Sequence, residues 1–117
     1  MARRSPTGLA AKGKRPAGAK PAPWCDYSGT LSGKEVGIAV LDHPANFRYP
    51  TTWHVRAYGL MTAGPFGISY FTNDKTREGS QTWRKGEVVE YRYRVVLHSG
   101  DAAAAGLDGR WDLPLAK

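Results

Sequence analysis

The chain has 117 residues, enough for one small domain, and its 41% hydrophobic and 23% charged residues are ordinary for a globular protein. No apolar run approaches the roughly 18 residues of a transmembrane helix, which excludes an integral helical membrane protein. A single cysteine, Cys25, excludes an internal disulfide bond and a zinc site built on cysteines.

The first 22 residues are dominated by proline, glycine, alanine and basic side chains. Such a segment buries too little apolar surface to offset the entropy lost on ordering. We therefore predict a disordered basic tail over residues 1–22 and one domain over residues 23–117. No apolar signal segment follows the Arg3-Arg4 pair, so we expect a cytoplasmic protein.

Most of the excess positive charge lies in this tail. Residues 1–20 carry six basic groups and no acid, whereas residues 21–117 carry eleven basic and ten acidic groups. A nucleic-acid-binding domain carries its basic patch on the folded surface, so the near-neutral body argues against a nucleic-acid partner.

Residues 24–31 and 35–41 alternate with a period of two on either side of Ser32-Gly33, which predicts a β-hairpin. In the second strand, Gly37 and Ala39 put little side-chain volume on one face. We therefore expect another group to pack closely there.

After a proline-bounded loop at 42–50, residues 51–61 alternate again and predict one strand. Trp53 and Val55 share its apolar face, and His54 and Arg56 share the other. Trp53, Trp83 and Tyr91 are candidates for stacking on sugar rings, although alternation assigns Trp53 and Tyr91 to the core.

Residues 87–98 give the longest alternation, with Val95 and Leu97 on an apolar face and Arg94 and His98 on a face that we expect to be solvated. An acidic residue before the alanines at 102–105 predicts a short C-terminal helix. Together these patterns predict an all-β fold, an antiparallel β-sandwich in partial or truncated form with that short helix.

Polar side chains concentrate in the 42–50 loop and the strand after it, where we predict one shared pocket. His43 and His54 are the candidate catalytic acid–base groups. Arginines in such a pocket suit carboxylate, phosphate or sugar hydroxyl groups. The predicted ligand-binding residues are Asn46, Arg48, Arg56, Tyr58 and His98.

No motif assigns a metal, a cofactor or a nucleophile. Asp26, Asp42 or Asp101 could each complete a set of two histidines and a carboxylate, but no histidine spacing selects one of them. A Gly-x-Ser-x-Gly motif and a phosphate-binding glycine loop are both absent from the sequence. We therefore predict no metal ligand and leave the cofactor undefined.

Several segments together resemble a known family: DHPANFRYP at 42–50, TWHVRAYG at 52–59, GPFG at 64–67 and YRYR at 91–94. The chain resembles the C-terminal part of the PmoA-like family of uncharacterised bacterial proteins. Ala57, Gly64 and Ser99 depart from that family's pattern. The resemblance implies a soluble β-sandwich protein of bacteria that degrade polysaccharides.

These observations favour a protein that binds a polar, carbohydrate-like ligand, and whether it is an enzyme stays open. One alternative is a hydrolase or lyase acting on a carbohydrate derivative with histidine as acid or base. Others are a metal-dependent oxygenase, as the family label implies, and a nonfunctional truncated remnant. An open sheet edge would favour a homodimer.

Overall fold

The computed structural model describes residues 9–12, 21–56, 59–67, 73–107 and 111. These residues are mostly β and form two sheets, which confirms the predicted fold class at that level. A four-stranded sheet has the order β1-β2-β3-β6, and a two-stranded sheet pairs β4 with β5. The elements are β1 (Leu9–Lys12), β2 (Trp24–Leu31), β3 (Lys34–Asp42), β4 (Trp53–Arg56), β5 (Leu60–Ala63), β6 (Tyr93–Ser99) and the single helical turn α1 (Ala102–Ala105).

The predicted hairpin of β2 and β3 is confirmed. Ser32 and Gly33 both have positive φ, 51° and 80°, the backbone twist that suits a two-residue hairpin turn. β6 pairs antiparallel with the other side of β3, so Leu97 lies beside Ile38 in register.

β1 runs parallel to β2, with Leu9 beside Cys25. At these four residues the structure differs from the predicted disorder, because a sheet edge supplies backbone hydrogen bonds that composition does not reveal. Residues 1–8 and 13–20 of the predicted tail lie outside the described residues. The domain boundary at residue 23 stays a prediction.

The single strand predicted over residues 51–61 is wrong. The chain reverses between Arg56 and Leu60, where Gly59 has a φ of 105°, and β4 and β5 form an antiparallel hairpin. Trp53 and Val55 are buried as predicted, with exposed fractions of 1% and 0%.

Two apolar clusters lie on opposite faces of the four-stranded sheet. On one face, Cys25 and its neighbours pack against Trp53 and Val55 of the smaller sheet. On the other face, Trp24, Ala39 and Leu41 pack against Ala105, the last residue of α1, and Leu107, which follows it.

The predicted burial of β6 is reversed. Val95 and Leu97 are 59% and 77% exposed, whereas the His98 side chain is only 6% exposed. Ala102 and Ala105 of α1, with Leu107, cover part of the face that carries His98, and β4–β5 covers only the Cys25 end of the other face. The apolar side of β6 therefore lies open.

Candidate functional site

Arg48 is the predicted site residue that the structure places in a cleft. Its backbone has a φ of 64°, a left-handed conformation that few non-glycine residues adopt. The guanidinium donates from Nη1 to the carbonyl oxygens of Pro65, at 3.0 Å, and Gly79, and from Nη2 to that of Ser80 at 3.2 Å. Arg48 therefore ties its own loop to two others and is held in one orientation.

The cleft beside this guanidinium has a volume of about 340 Å³, and we call it the Arg48 cleft. Among the described residues, its charged lining groups are one positive side chain, Arg48, and one negative side chain, Glu78. Its walls are otherwise largely proline, which presents a rigid backbone. The lining residues are Pro21, Arg48, Pro50, Thr52, Pro65 and Glu78.

Outside the lining of the cleft, three aromatic rings of the described residues cluster beside Arg48. Phe47, Phe66 and Trp83 contact one another with ring centroids 5.7–6.4 Å apart. The guanidinium of Arg48 lies 4.8 Å from the Phe47 centroid and 5.8 Å from that of Phe66. Phe66 and Trp83 keep 42% and 36% of their surface exposed. The site thus combines open aromatic rings with a fixed cation and a carboxylate.

Asn46 braces the loop that carries Arg48. Its Nδ2 donates to Asp42 Oδ1 and to the Arg92 carbonyl, both at 2.7 Å, and its Oδ1 accepts from the Arg92 N–H at 2.8 Å. Asp42 Oδ2 also accepts from the Thr51 N–H at 2.9 Å. Burial raises the pKa of Asp42, and the hydrogen bonds from Asn46 and Thr51 oppose that rise. These bonds give the Asn46 amide a positioning role in the loop.

The other predicted site residues make contacts elsewhere. The His43 ring packs edge-on against Trp111 at 4.8 Å, and its Nδ1 accepts from the Ala45 N–H at 3.0 Å. His54 is half-buried on β4 opposite Thr62. Arg56 Nη1 donates to the Val55 carbonyl at 2.9 Å. Tyr58 lies outside the described residues, and the ligand-binding and catalytic roles of this set stay predictions.

His98 forms a buried ion pair with Asp26, which lies 72 residues earlier in the chain. His98 Nε2 bonds Asp26 Oδ1, and the two side chains are 6% and 0% exposed. Burial alone lowers the pKa of His98, but the hydrogen bond and the charge of Asp26 outweigh it and raise that pKa. No donor among the described residues reaches Asp26 Oδ2. A carboxylate that orients an imidazole is an arrangement used in acid–base catalysis, but burial keeps this pair from a solute.

Gly37 makes this ion pair possible. A Cβ at Gly37 would lie 2.5 Å from His98 Cε1 and 2.6 Å from Nε2, so the imidazole rests directly on the glycine backbone. The expectation that another group packs closely on this face of β3 is confirmed. Among the described residues, no group of three or more potential ligands could hold a metal ion.

One family model matches residues 1–112, that of DUF6807, a family of unknown function. The chain belongs to the DUF6807 family. No curated protein and no solved structure matches it.

The resemblance to the PmoA-like family is therefore wrong. The segments that carry it all lie inside the match to DUF6807, so they are features of a DUF6807 member. The expectation of a metal-dependent oxygenase rested on the PmoA-like label and has no support from the matching family. Within the described ranges of this DUF6807 chain, no helix has the length and apolar character needed to span a membrane.

Sequence reasoning identified Arg48 and considered Trp83, but it missed Phe47, Phe66 and Glu78 as their neighbours. The PFG motif carries a local signal for Phe66, since it puts that ring between a proline and a glycine that favour a turn. The proximity of these residues depends on three loops meeting, which no local pattern reveals.

Proposed function

We propose that this DUF6807 member binds a polar, carbohydrate-like ligand at the Arg48 cleft. The observation that carries this proposal is the exposure of Phe66 and Trp83, which form a ring cluster on Arg48, the arginine that lines the cleft together with Glu78. A sugar has an apolar C–H face and a rim of hydroxyl groups. Open aromatic rings suit the face, and charged hydrogen-bonding groups suit the rim.

The rigidity of the cleft supports the proposal. Three carbonyl oxygens hold the Arg48 guanidinium, and Asn46 fixes the same loop to the backbone of Arg92. A ligand that meets such a site does not have to order it, so little binding energy is lost on binding. One positive and one negative group favour a neutral saccharide over a highly charged ligand.

The proposal extends to the architecture. Packing of Cys25 against Trp53 and Val55 between the two sheets supports a β-sandwich with the Arg48 cleft in the loops at one end. We also propose that the chain has a short C-terminal helix, of which the structure describes α1. A hydrolase or lyase is the competing function, in which His43 or His54 would move a proton.

The test is a titration of the full chain with neutral saccharides and, in a second arm, with uronic acids, followed by tryptophan fluorescence and amide chemical shifts. Replacing an aromatic contact removes about 1 kcal/mol, so we expect Trp83→Ala and Phe66→Ala each to weaken binding roughly 5–10-fold. Val88→Ala, at a residue that is 92% exposed and outside the lining of the cleft, is the control for an exposed apolar residue and should leave affinity unchanged.

Failure of the wild-type chain to bind any saccharide at millimolar concentration would overturn the proposed function. Equal affinity in the wild-type chain and both aromatic variants would overturn the assignment of the site. Product formation during the same incubations, lost in His54→Ala, would favour the hydrolase or lyase instead.

A further inference from the structure

The four-stranded sheet carries an exposed apolar surface, which we call the open face. A ligand at the Arg48 cleft does not explain this surface. It comprises Leu31, Ile38, Tyr93, Val95 and Leu97, whose exposed fractions run from 39% to 77%. In register, Leu97 lies beside Ile38, so the surface crosses from β6 to β3. It is therefore one continuous patch.

The open face contains a shallow apolar groove as well as protruding side chains. A depression of about 330 Å³ lies at the hairpin end of β2 and β3, and its lining includes Tyr27, Val36 and Ile38. Gly29 also lines it, and no described residue comes within 4 Å of the position of a Cβ there. One surface thus offers both projecting leucines and a space to receive apolar side chains, as a self-complementary interface requires.

The area of the open face matches what a stable interface needs. Its five side chains expose roughly 500 Å², near the upper end for the largest patch on a monomer. If apolar atoms make up about 65% of a homodimer interface, that patch corresponds to nearly 800 Å² per partner. This is the usual size of a specific protein–protein interface.

The charge distribution also permits self-association. Residues 21–117 have one more basic than acidic group, so two copies of the body repel one another weakly. On the side of β3 that carries Ile38, alternation places Lys34 at the hairpin end, where a long side chain reaches solvent at an interface rim. We propose that the open face is a twofold interface with a second copy of this chain.

This contact differs from the edge pairing that the sequence predicted. β6 is an edge strand of the described sheet, and pairing along that edge would join backbones. The side chains of Val95 and Leu97 project from the sheet face, so edge pairing would leave them in water. Only a contact across the face removes their apolar surface from solvent.

The experiment is sedimentation velocity and light scattering on the full chain from low micromolar to several hundred micromolar. We expect a mass twice the 12.8 kDa of the chain at the upper end. Leu97→Glu places a charge on the most exposed residue of the open face and should raise the dimer dissociation constant about 30-fold or more. Thr62→Glu, on the exposed side of β5, is the matched control and should leave the dimer intact.

Leu97 is mostly exposed, so its variant should fold, and circular dichroism together with the melting temperature checks this. Amide chemical shifts of the wild-type chain, recorded as the protein is diluted, test the proposal without any substitution. The shift changes on dilution should be largest at the residues of the open face. A wild-type chain that stays monomeric throughout would overturn the proposal. A dimer that survives Leu97→Glu, or dilution shifts confined to the Arg48 cleft, would overturn it as well.

Discussion

Gly37→Ala should destabilise the protein far more than any other single methyl group added to this sheet. The new Cβ would lie 2.5 Å from His98 Cε1, closer than a carbon–carbon contact allows, so the imidazole must move away. That movement breaks the bond from His98 Nε2 to Asp26 Oδ1. The Asp26 carboxylate, 0% exposed, is then left buried without its partner.

The magnitude follows from two opposing contributions. A buried charge that loses its partner costs about 3–5 kcal/mol, whereas alanine in place of a strand glycine contributes about 0.5–1 kcal/mol of stability. We therefore expect Gly37→Ala to lower the free energy of unfolding by about 2–4 kcal/mol. For a domain of this size the melting temperature falls by roughly 10–20 °C.

Urea unfolding of four variants tests this reasoning. Gly29→Ala, in the neighbouring strand, is the matched control: none of the residues that the structure describes lies within 4 Å of the new methyl group, so the change should be neutral or slightly stabilising. In a His98→Ala background the cost of Gly37→Ala should largely disappear, because no imidazole remains to be displaced. An equal cost with and without His98 would refute the reasoning, as would a cost no larger than that of Gly29→Ala.

Two further predictions concern pH and the loop brace. The pKa of His98 is raised in the folded protein, so the stabilisation that the imidazole provides is complete below its unfolded pKa of about 6.5. That stabilisation is lost as the pH rises through the folded pKa. The urea midpoint of the wild-type chain should therefore fall from about pH 6 to pH 9, and the midpoint of His98→Gln should change less. Equal slopes in the two proteins would contradict this. Asn46→Ala leaves the Arg92 N–H and one oxygen of Asp42 without their amide partner, whereas the Arg92 carbonyl keeps the bond from the His43 N–H; the change should cost about 2–4 kcal/mol, measured by urea unfolding. A cost below about 1 kcal/mol would show that water replaces the amide.

The features that could be predicted are those encoded locally. Ser32-Gly33 fixes the hairpin because it adopts two consecutive positive φ angles, and alternation identifies Trp53 and Val55 as core residues. Alternation also groups Val95 with Leu97, but it does not reveal which face of a strand becomes covered. That depends on where α1 packs.

The candidate site was likewise only partly predictable from local sequence patterns. Gly37 indicates a close approach on its face of β3, but the approaching group, His98, lies on β6, which pairs with β3 in the sheet and is far from it along the chain. Arg48 was recognised from its polar loop, whereas its partners are backbone carbonyls, which every residue possesses. Contacts of that kind depend on tertiary structure rather than on side-chain type.

The Asn46 side chain has a consequence beyond holding its loop. By bonding both the N–H and the carbonyl of Arg92, its amide takes the place of a peptide group on an adjacent strand, immediately before β6 begins. The loop that carries Arg48 and the strand that carries Leu97 therefore share one hydrogen-bonded unit. If that unit shifts when either surface is occupied, the two equilibria are linked: a saccharide changes the dimer affinity by the same factor by which dimerisation changes the affinity for the saccharide.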